Sequence, residues 1–261
     1  MGRRRIKNTI RRIRLRIADG RGQLKGKNYK SGIYTYEIPS KGKTARVRGY
    51  TTKRIHHCLS QIEKNYLVLL DYDPEVTEIL DQAFLSLEDT LLIAAEMHIR
   101  HPEADGVPAQ MSTDFVYCRN GQWYATAIKN SQDIKKERTL QKLRIEEAYW
   151  KKKGIPWTLV TEKDIPMCKV NNLRWLYLGE LSVDSLIPKT NQRQSIIAGF
   201  LELYGDYSIP FNEITETMES YYHLHSGTML QLFKWLVREK RIILDLSVPI
   251  DPNEPRSLMC L

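Results

Sequence analysis

Two hydrophobic periodicities alternate over the first 160 residues of the chain. Short apolar or alternating segments predict strands; they are IYTYEIP, ARVRGYTT, PEVTEILDQ, the two halves of MSTDFVYCRNGQWYATAIKN, and IPWTLVT. Apolar residues at helical spacing predict helices from about Ile55 to Asp71, over SLEDTLLIAAEMHIRH, and from about Lys135 to Lys153. The first two strands, separated by SKGK, are expected to form a hairpin. This order of elements predicts an α/β fold, a mixed sheet with flanking helices.

The pattern changes from about Leu186. Three short amphipathic helices are predicted over SIIAGFLELY, PFNEITETMESYY and SGTMLQLFKWLVREK, followed by an alternating strand, RIILDLSV. Three helices and a β-wing outline a winged-helix domain. The third helix offers only Gln231, Lys234 and Arg238 opposite its apolar face, a small set for reading bases.

The net positive charge is concentrated at the start of the chain. Residues 1–16 hold seven Arg and one Lys with no acid, so 32 of the 40 basic side chains remain against 31 acidic ones elsewhere. Ile6, Ile10, Ile13 and Ile17 recur at helical spacing, which predicts a basic amphipathic helix. A phosphate-binding arm is favoured over a mitochondrial presequence or a membrane-surface helix.

Membrane and secreted classes do not fit the composition. No apolar run approaches the length of a membrane span, and the Arg-rich start lacks the apolar core of a secretion signal. The four cysteines are scattered without a CxxC pair, which disfavours both a zinc site and a disulfide framework. A cytoplasmic protein with no membrane association is expected.

The segment from Met111 to Asn130 carries the first candidate chemistry. Asp114 lies on its first strand and Lys129 ends its second, so pairing through the Asn120-Gly121 turn brings them together at the open end. Strand, acid, turn, then acid-x-lysine is the layout of metal-dependent nucleases, but the second acid is here Ala127. A solvated cross-strand ion pair is the alternative interpretation.

Glu63 is the candidate for the missing carboxylate. On the predicted helix it lies between Leu67 and Leu70 at the edge of the apolar stripe and faces the sheet. A helix-edge glutamate that reaches water or pairs with lysine is the alternative. The main-chain carbonyl of Ile128 is a further candidate ligand, and such hard oxygen ligands imply Mg²⁺ or Mn²⁺.

The long helix predicted from about Lys135 to Lys153 adds two more acids, Glu146 and Glu147. Both are expected on a solvated face, with one of them a candidate for an outer or second-metal position.

Five segments in this order resemble the TnsA endonuclease subunit family of heteromeric transposases: RIADGRGQLKGKNY, HHCLSQIE, MSTDF, KERTLQKL and YWKKKGIPW. The resemblance spans roughly Ile17 to Tyr177 and is weaker over the last third. It implies a restriction-endonuclease-like (PD-(D/E)xK-type) domain over residues 17–180, a winged-helix domain over 181–250 and a tail over 251–261, after the arm of residues 1–16. It also places the family's catalytic residues on Glu63, Asp114 and Lys129, with Glu63 and Asp114 as metal ligands. The family often has Gln where this chain has Ala127, so one side-chain ligand is absent.

The resemblance implies cleavage of the 5′ (non-transferred) strand at transposon ends. Its implied partners are transposon-end DNA, a TnsB-like integrase-type transposase and a TnsC-like AAA+ ATPase, in the cytoplasm of a prokaryotic cell. Two alternatives stay open: a DNA-binding adaptor with weak or no catalysis, and a stand-alone restriction-type or junction-type nuclease.

Overall fold

A computed structural model describes residues 10–23, 25–37, 43–177, 187 and 191–252. The chain divides into two compact units, Met1–Ile165 and Pro166–Leu261, and each is described by itself. No helix in the described ranges is long and apolar enough to cross a membrane.

The first unit contains four α-helices and eight strands in its described residues. The helices are α1 (Ile10–Ala18), α2 (Gln61–Asp71), α3 (Leu87–Glu96) and α4 (Glu137–Lys152). The strands are β1 (Ala45–Arg48), β2 (Ile55–Cys58), β3 (Val76–Phe84), β4 (Glu103–Ala104), β5 (Val107–Pro108), β6 (Ser112–Arg119), β7 (Gln122–Ile128) and β8 (Trp157–Val160).

The central sheet has the strand order β3-β6-β7-β8. Its first two pairings are antiparallel and the last, between β7 and β8, is parallel. This confirms the predicted mixed sheet with flanking helices. Asn120 (φ 49°) and Gly121 (φ 79°) form the β6–β7 turn. A two-residue turn that matches the right-handed twist of its two strands needs a positive φ at both of its residues.

Helices α3 and α4 pack on the sheet through one apolar core. From the sheet it includes Leu80, Val116 and Ala125, and from α4 it includes Ile145 and Trp150. Helix α2 approaches the sheet elsewhere, where the Tyr66 ring lies 6.0 Å from that of Phe115. Carboxylates on α2 and α4 can therefore both reach the strands that carry Asp114 and Lys129.

Two predictions for this unit are wrong: the first hairpin, and the start of α2 at about Ile55. Residues 33–37 form turns rather than a strand, and β1 pairs instead with β2, over residues predicted as helix. Helix α2 starts only at Gln61, because Ser60 caps it by accepting a hydrogen bond from the Glu63 N–H at 3.1 Å.

A buried carboxylate explains why residues 55–58 are a strand. Asp81 on β3 accepts hydrogen bonds at 2.8 Å from the His57 N–H and, through its other oxygen, from His56 Nδ1. Ser31 and Arg54 also contact it. Burial works against the ionised form, but these hydrogen bonds hold the pKa of Asp81 below its ordinary value. Strand β2 is thus fixed to β3 by polar contacts that hydrophobic spacing cannot reveal.

Replacing Asp81 with Asn should destabilise the protein by about 3 kcal/mol or more, because it leaves Arg54 and the bonded donors without their buried anion. Denaturant unfolding followed by fluorescence measures this. Asp89→Asn is the control, since Asp89 pairs with Lys153 on the surface, and it should change stability little. A loss below about 1 kcal/mol for Asp81→Asn would show that the network stabilises nothing.

The basic arm is helical over its described part, α1. Ile13 on this helix is buried, but Leu15 and Ile17 are exposed. Ile6 of the predicted stripe lies outside the described residues.

The second unit contains α5 (Met167–Tyr177), α6 (Asn191–Gly205), α7 (Phe211–Tyr221) and α8 (Thr228–Arg238). The last three confirm the predicted helices. Their shared core includes Phe200, Phe211, Leu232 and Phe233, all of them buried.

The predicted wing strand is wrong, because residues 241–248 form no strand and contain only one β-bridge residue, Leu244. Instead, Asn172 on α5 donates hydrogen bonds to the carbonyls of Leu246 (2.9 Å) and Val248 (2.6 Å) and accepts one from the Ile250 N–H (3.1 Å). A side chain thus takes bonds that a partner strand would make.

The polar face of α8 is also partly covered. The Lys234 ammonium lies 4.3 Å from the ring centre of Trp175, and Arg238 donates to the Leu176 carbonyl at 3.0 Å. Two of the three polar side chains on this face, already a small set for reading bases, therefore contact α5.

Candidate active site

Asp114 and Lys129 meet at the open end of the β6–β7 hairpin. Asp114 Oδ2 accepts hydrogen bonds from the Ile128 N–H at 2.6 Å and from Lys129 Nζ at 2.8 Å. Lys129 Nζ also donates to the Ile128 carbonyl at 2.8 Å. The carboxylate oxygen and the carbonyl oxygen, both candidate metal ligands, thus converge on one positively charged atom.

The charge on Lys129 is stabilised by these neighbours. Burial disfavours its charged form, but Asp114 and then Glu146 outweigh that cost and raise the pKa of Lys129 above its ordinary value. It therefore remains an ammonium at neutral pH.

Glu63 lies in the first turn of α2 and is buried. Its Oε1 accepts a hydrogen bond from the Ser60 hydroxyl and its Oε2 one from the Leu59 N–H, both at 2.8 Å. Ser60 and Glu63 thus bond each other reciprocally, because the Ser60 oxygen accepts from the Glu63 N–H and the Ser60 hydroxyl donates to the Glu63 carboxylate. Burial, and then the charge on Asp114, raise the pKa of Glu63 to about 8.

Gln82 on β3 joins the two candidate carboxylates. Its Nε2 donates to Glu63 Oε2 at 3.1 Å and to Asp114 Oδ1 at 3.2 Å. This residue was missed in the sequence, where the only sign was a pair of polar residues, Asp81 and Gln82, inside the otherwise apolar end of the strand ILDQAF.

Glu146 on α4 is buried, contrary to the predicted solvated face, while Glu147 is exposed as predicted. Glu146 Oε1 accepts hydrogen bonds from the Thr113 hydroxyl at 2.8 Å and from Trp157 Nε1 at 3.3 Å. Burial raises the pKa of Glu146 to about 7, against the opposing charge of Lys129. Thr113 precedes Asp114 on β6 and Trp157 begins β8, so Glu146 bonds two strands of the central sheet near the site.

A cleft of about 340 Å³ opens beside these groups. Lys129, Glu146 and Ser112 are among its lining residues, and so is Lys142. Burial, together with the charges of Arg138 and Lys129, lowers the pKa of Lys142. The cleft thus carries two lysines, Lys129 and Lys142, against two acids, Asp133 and Glu146, and the lysines are the groups that could contact a phosphodiester.

The acids present fit a magnesium site with few protein ligands. In the described ranges, no group of three His, Cys, Asp or Glu side chains is arranged to hold a metal. Mg²⁺ is commonly held by one or two carboxylates and completes its shell with water and substrate phosphate oxygens. Glu63, Asp114 and the Ile128 carbonyl supply hard oxygen donors of that kind.

Comparison with known proteins places the chain in a family. The family of TnsA-like endonuclease N-terminal domains matches residues 73–162, and that of TnsA endonuclease C-terminal domains matches residues 164–246. Over 200 aligned residues the chain is 36% identical to the Transposon Tn7 transposition protein TnsA of Escherichia coli. The aligned residues make up 76% of this chain and 72% of that protein. Asp114 and Lys129 lie inside the first matched range, and Glu63 precedes it. The chain therefore belongs to the TnsA endonuclease family.

Proposed function

We propose that this chain is a Mg²⁺-dependent or Mn²⁺-dependent endodeoxyribonuclease of the PD-(D/E)xK type that cuts the 5′ strand at transposon ends, as a subunit of a heteromeric transposase. The observation that supports this most is the convergence of Glu63, Asp114 and Lys129, from a helix and two strands, on one small region. An ordinary surface ion pair would not require the buried Glu63.

The residues divide the chemistry between them. A divalent cation held by Glu63, Asp114 and the Ile128 carbonyl would neutralise charge on the scissile phosphate and favour deprotonation of the attacking water. Lys129 places a permanent positive charge beside Asp114, where it stabilises the additional negative charge on the phosphate in the transition state. Glu146 fixes Thr113, the neighbour of Asp114 on β6, and is a further metal candidate.

The start of α2 serves catalysis by fixing the Glu63 carboxylate. Because the Ser60 hydroxyl and the Leu59 N–H each hold one of its oxygens, Glu63 has little rotameric freedom to lose when it binds a cation. A pre-organised ligand of this kind costs less entropy on binding.

The test is reconstitution on a defined transposon-end duplex with a TnsB-like transposase, a TnsC-like ATPase and Mg²⁺. Nicks in the 5′ strand should depend on both the metal and the partners, because the body of the chain carries little excess charge to hold DNA alone. Cutting that survives EDTA would exclude the metal mechanism, and complex assembly without any cutting would favour the adaptor alternative.

The arm should contribute to DNA affinity through phosphates. Changing Arg11 and Arg14, exposed on α1, to Gln should reduce the slope of log affinity against log salt by about 0.9 for each lost phosphate contact, about 2 in all. Fluorescence anisotropy over a salt series measures this slope.

The matched control changes Lys240 and Arg241 to Gln, which removes the same net charge from exposed positions in the second unit. If both double variants show the wild-type slope, the arm does not bind DNA phosphates, and the presequence and membrane-surface interpretations return.

A further inference from the structure

Gln82 is a buried, uncharged polar residue that lies between two acids, Glu63 and Asp114. Its side chain is almost fully buried, at 1% exposure, and its amide contacts both candidate ligand carboxylates. Its other end is also bound, because Oε1 accepts a hydrogen bond from the Ser112 hydroxyl at 3.2 Å. An apolar side chain would fill this place in an ordinary sheet.

The strand register puts Gln82 beside Asp114. Asp81 pairs with Phe115 and Ala83 with Thr113, so Gln82 stands opposite Asp114 on the neighbouring strand. On the other side of Asp114, the register of Phe115 with Thr126 continues to Ala127. Gln82 and Ala127 are therefore the two lateral neighbours of Asp114 in one cross-strand row.

We infer that Gln82 is a ligand of the divalent cation and provides, from β3, the side-chain oxygen that Ala127 cannot provide from β7. This inference rests on the proposed metal-dependent function and adds a residue to its site. Together with Glu63, Asp114 and the Ile128 carbonyl it completes a set of four oxygen donors from the protein.

A half-turn about the last side-chain bond of Gln82 would exchange the positions of its nitrogen, a hydrogen-bond donor, and its oxygen, an acceptor. Without a cation, Nε2 donates to one oxygen of Glu63 and one of Asp114. When the carboxylates bind a cation, rotation about the last side-chain bond presents Oε1 to it instead. The Ser112 hydroxyl permits either orientation because it can donate to Oε1 or accept from Nε2.

The backbone at Gln82 is consistent with a functional position. Its φ is +52°, in the left-handed region, inside a strand of nine residues. Such a conformation costs a non-glycine residue energy and concentrates at functional sites. The neighbouring Asp81, bonded to β2, holds this part of the strand in place.

Titration of the full-length chain with Mn²⁺, followed by electron paramagnetic resonance of the free ion, tests the inference without any cleavage. Gln82→Met keeps the size of the side chain but removes the oxygen ligand, and should weaken Mn²⁺ binding about 10-fold or more. Gln82→Glu adds a third acid and should tighten it about 10-fold. Gln122→Met, at the exposed start of β7, is the control and should bind as wild type does.

Thermal unfolding gives a second measurement in case Gln82→Met does not fold. Gln82→Glu places a third carboxylate beside Glu63 and Asp114, so its Tm without metal should fall below wild type. Added Mn²⁺ should then raise its Tm by more than it raises that of wild type.

The outcomes separate the two proposals. If wild type binds Mn²⁺ and Gln82→Met binds it equally well, Gln82 is only a structural bridge and the inference fails while the proposed function stands. If Gln82→Glu gains no extra stabilisation from Mn²⁺, the inference fails in the same way. Wild type that binds no Mn²⁺ would overturn both.

Discussion

Glu63→Gln should abolish cutting of the 5′ strand as completely as Asp114→Ala does. Gln keeps the length of the side chain, and the backbone N–H of residue 63 still donates to Ser60, so α2 should stay intact, but the negative charge that a hard cation requires is lost. A loss of about 4 kcal/mol of transition-state stabilisation corresponds to about 10³-fold in rate. Strand-specific nicking by the reconstituted complex on end-labelled duplex measures it.

The matched control is Glu147→Gln, the same change at an exposed glutamate of α4, which should cut at the wild-type rate. The partner's 3′-strand cutting should persist in the Glu63 variant, so that products shift toward joined molecules still attached to the donor. Wild-type 5′ cutting by Glu63→Gln would reduce Glu63 to a helix-capping residue and make Glu146 the candidate ligand.

Lys129→Ala should lower 5′ cutting by about 10²-fold to 10³-fold, the range seen when one positioned donor is removed from a transition state. Its effect on metal binding should be the opposite of that of Glu63→Gln. Lys129 Nζ contacts both Asp114 Oδ2 and the Ile128 carbonyl, so its removal frees two of the proposed ligand oxygens, and Mn²⁺ should bind at least as tightly as to wild type.

Pairing the cleavage assay with Mn²⁺ titration therefore separates the two residues: Glu63→Gln loses both properties and Lys129→Ala loses only cleavage. Lys163→Ala, at an exposed lysine away from these oxygens, serves as the control for lost positive charge. Weaker Mn²⁺ binding by Lys129→Ala would mean that the lysine holds the site together rather than acting on the phosphate.

Elements with a strong local signal could be predicted from the sequence. The β6–β7 hairpin follows from its alternation and its Asn-Gly turn, and α4 from its long helical period and the glycine after it, Gly154, whose φ is +68°. Strand β2 could not, because it is held by the buried carboxylate of Asp81 on β3, which follows it in the chain only after the whole of helix α2. The wing failed similarly, since alternation in RIILDLSV cannot reveal that Asn172 binds its backbone.

The residues of the candidate site divide in the same way, into those with a local sequence signal and those that depend on distant contacts. Asp114 and Lys129 were brought together correctly by hairpin geometry, and Glu63 by its place at the edge of an apolar stripe. Gln82 was missed because glutamine has no charge, belongs to no nuclease motif and lies on a strand that approaches Asp114 only through the sheet order β3-β6. Glu146 was placed on the wrong side because its buried face depends on Thr113 and Trp157, both distant from it in the sequence pattern.

On the proposed function, the contact between Lys129 and the candidate ligand oxygens would limit cutting at wrong places in the host cell. A transposon end is rare among the many ordinary sequences of a chromosome, and an enzyme that held its metal permanently could nick any of them. A cation would first have to displace the Lys129 ammonium from Asp114 and the Ile128 carbonyl. A substrate phosphate would draw that ammonium toward itself, so that metal loading and DNA arrival would favour each other. Metal would then load mainly where DNA is already bound, a safeguard within the chain itself that acts before any sequence is read.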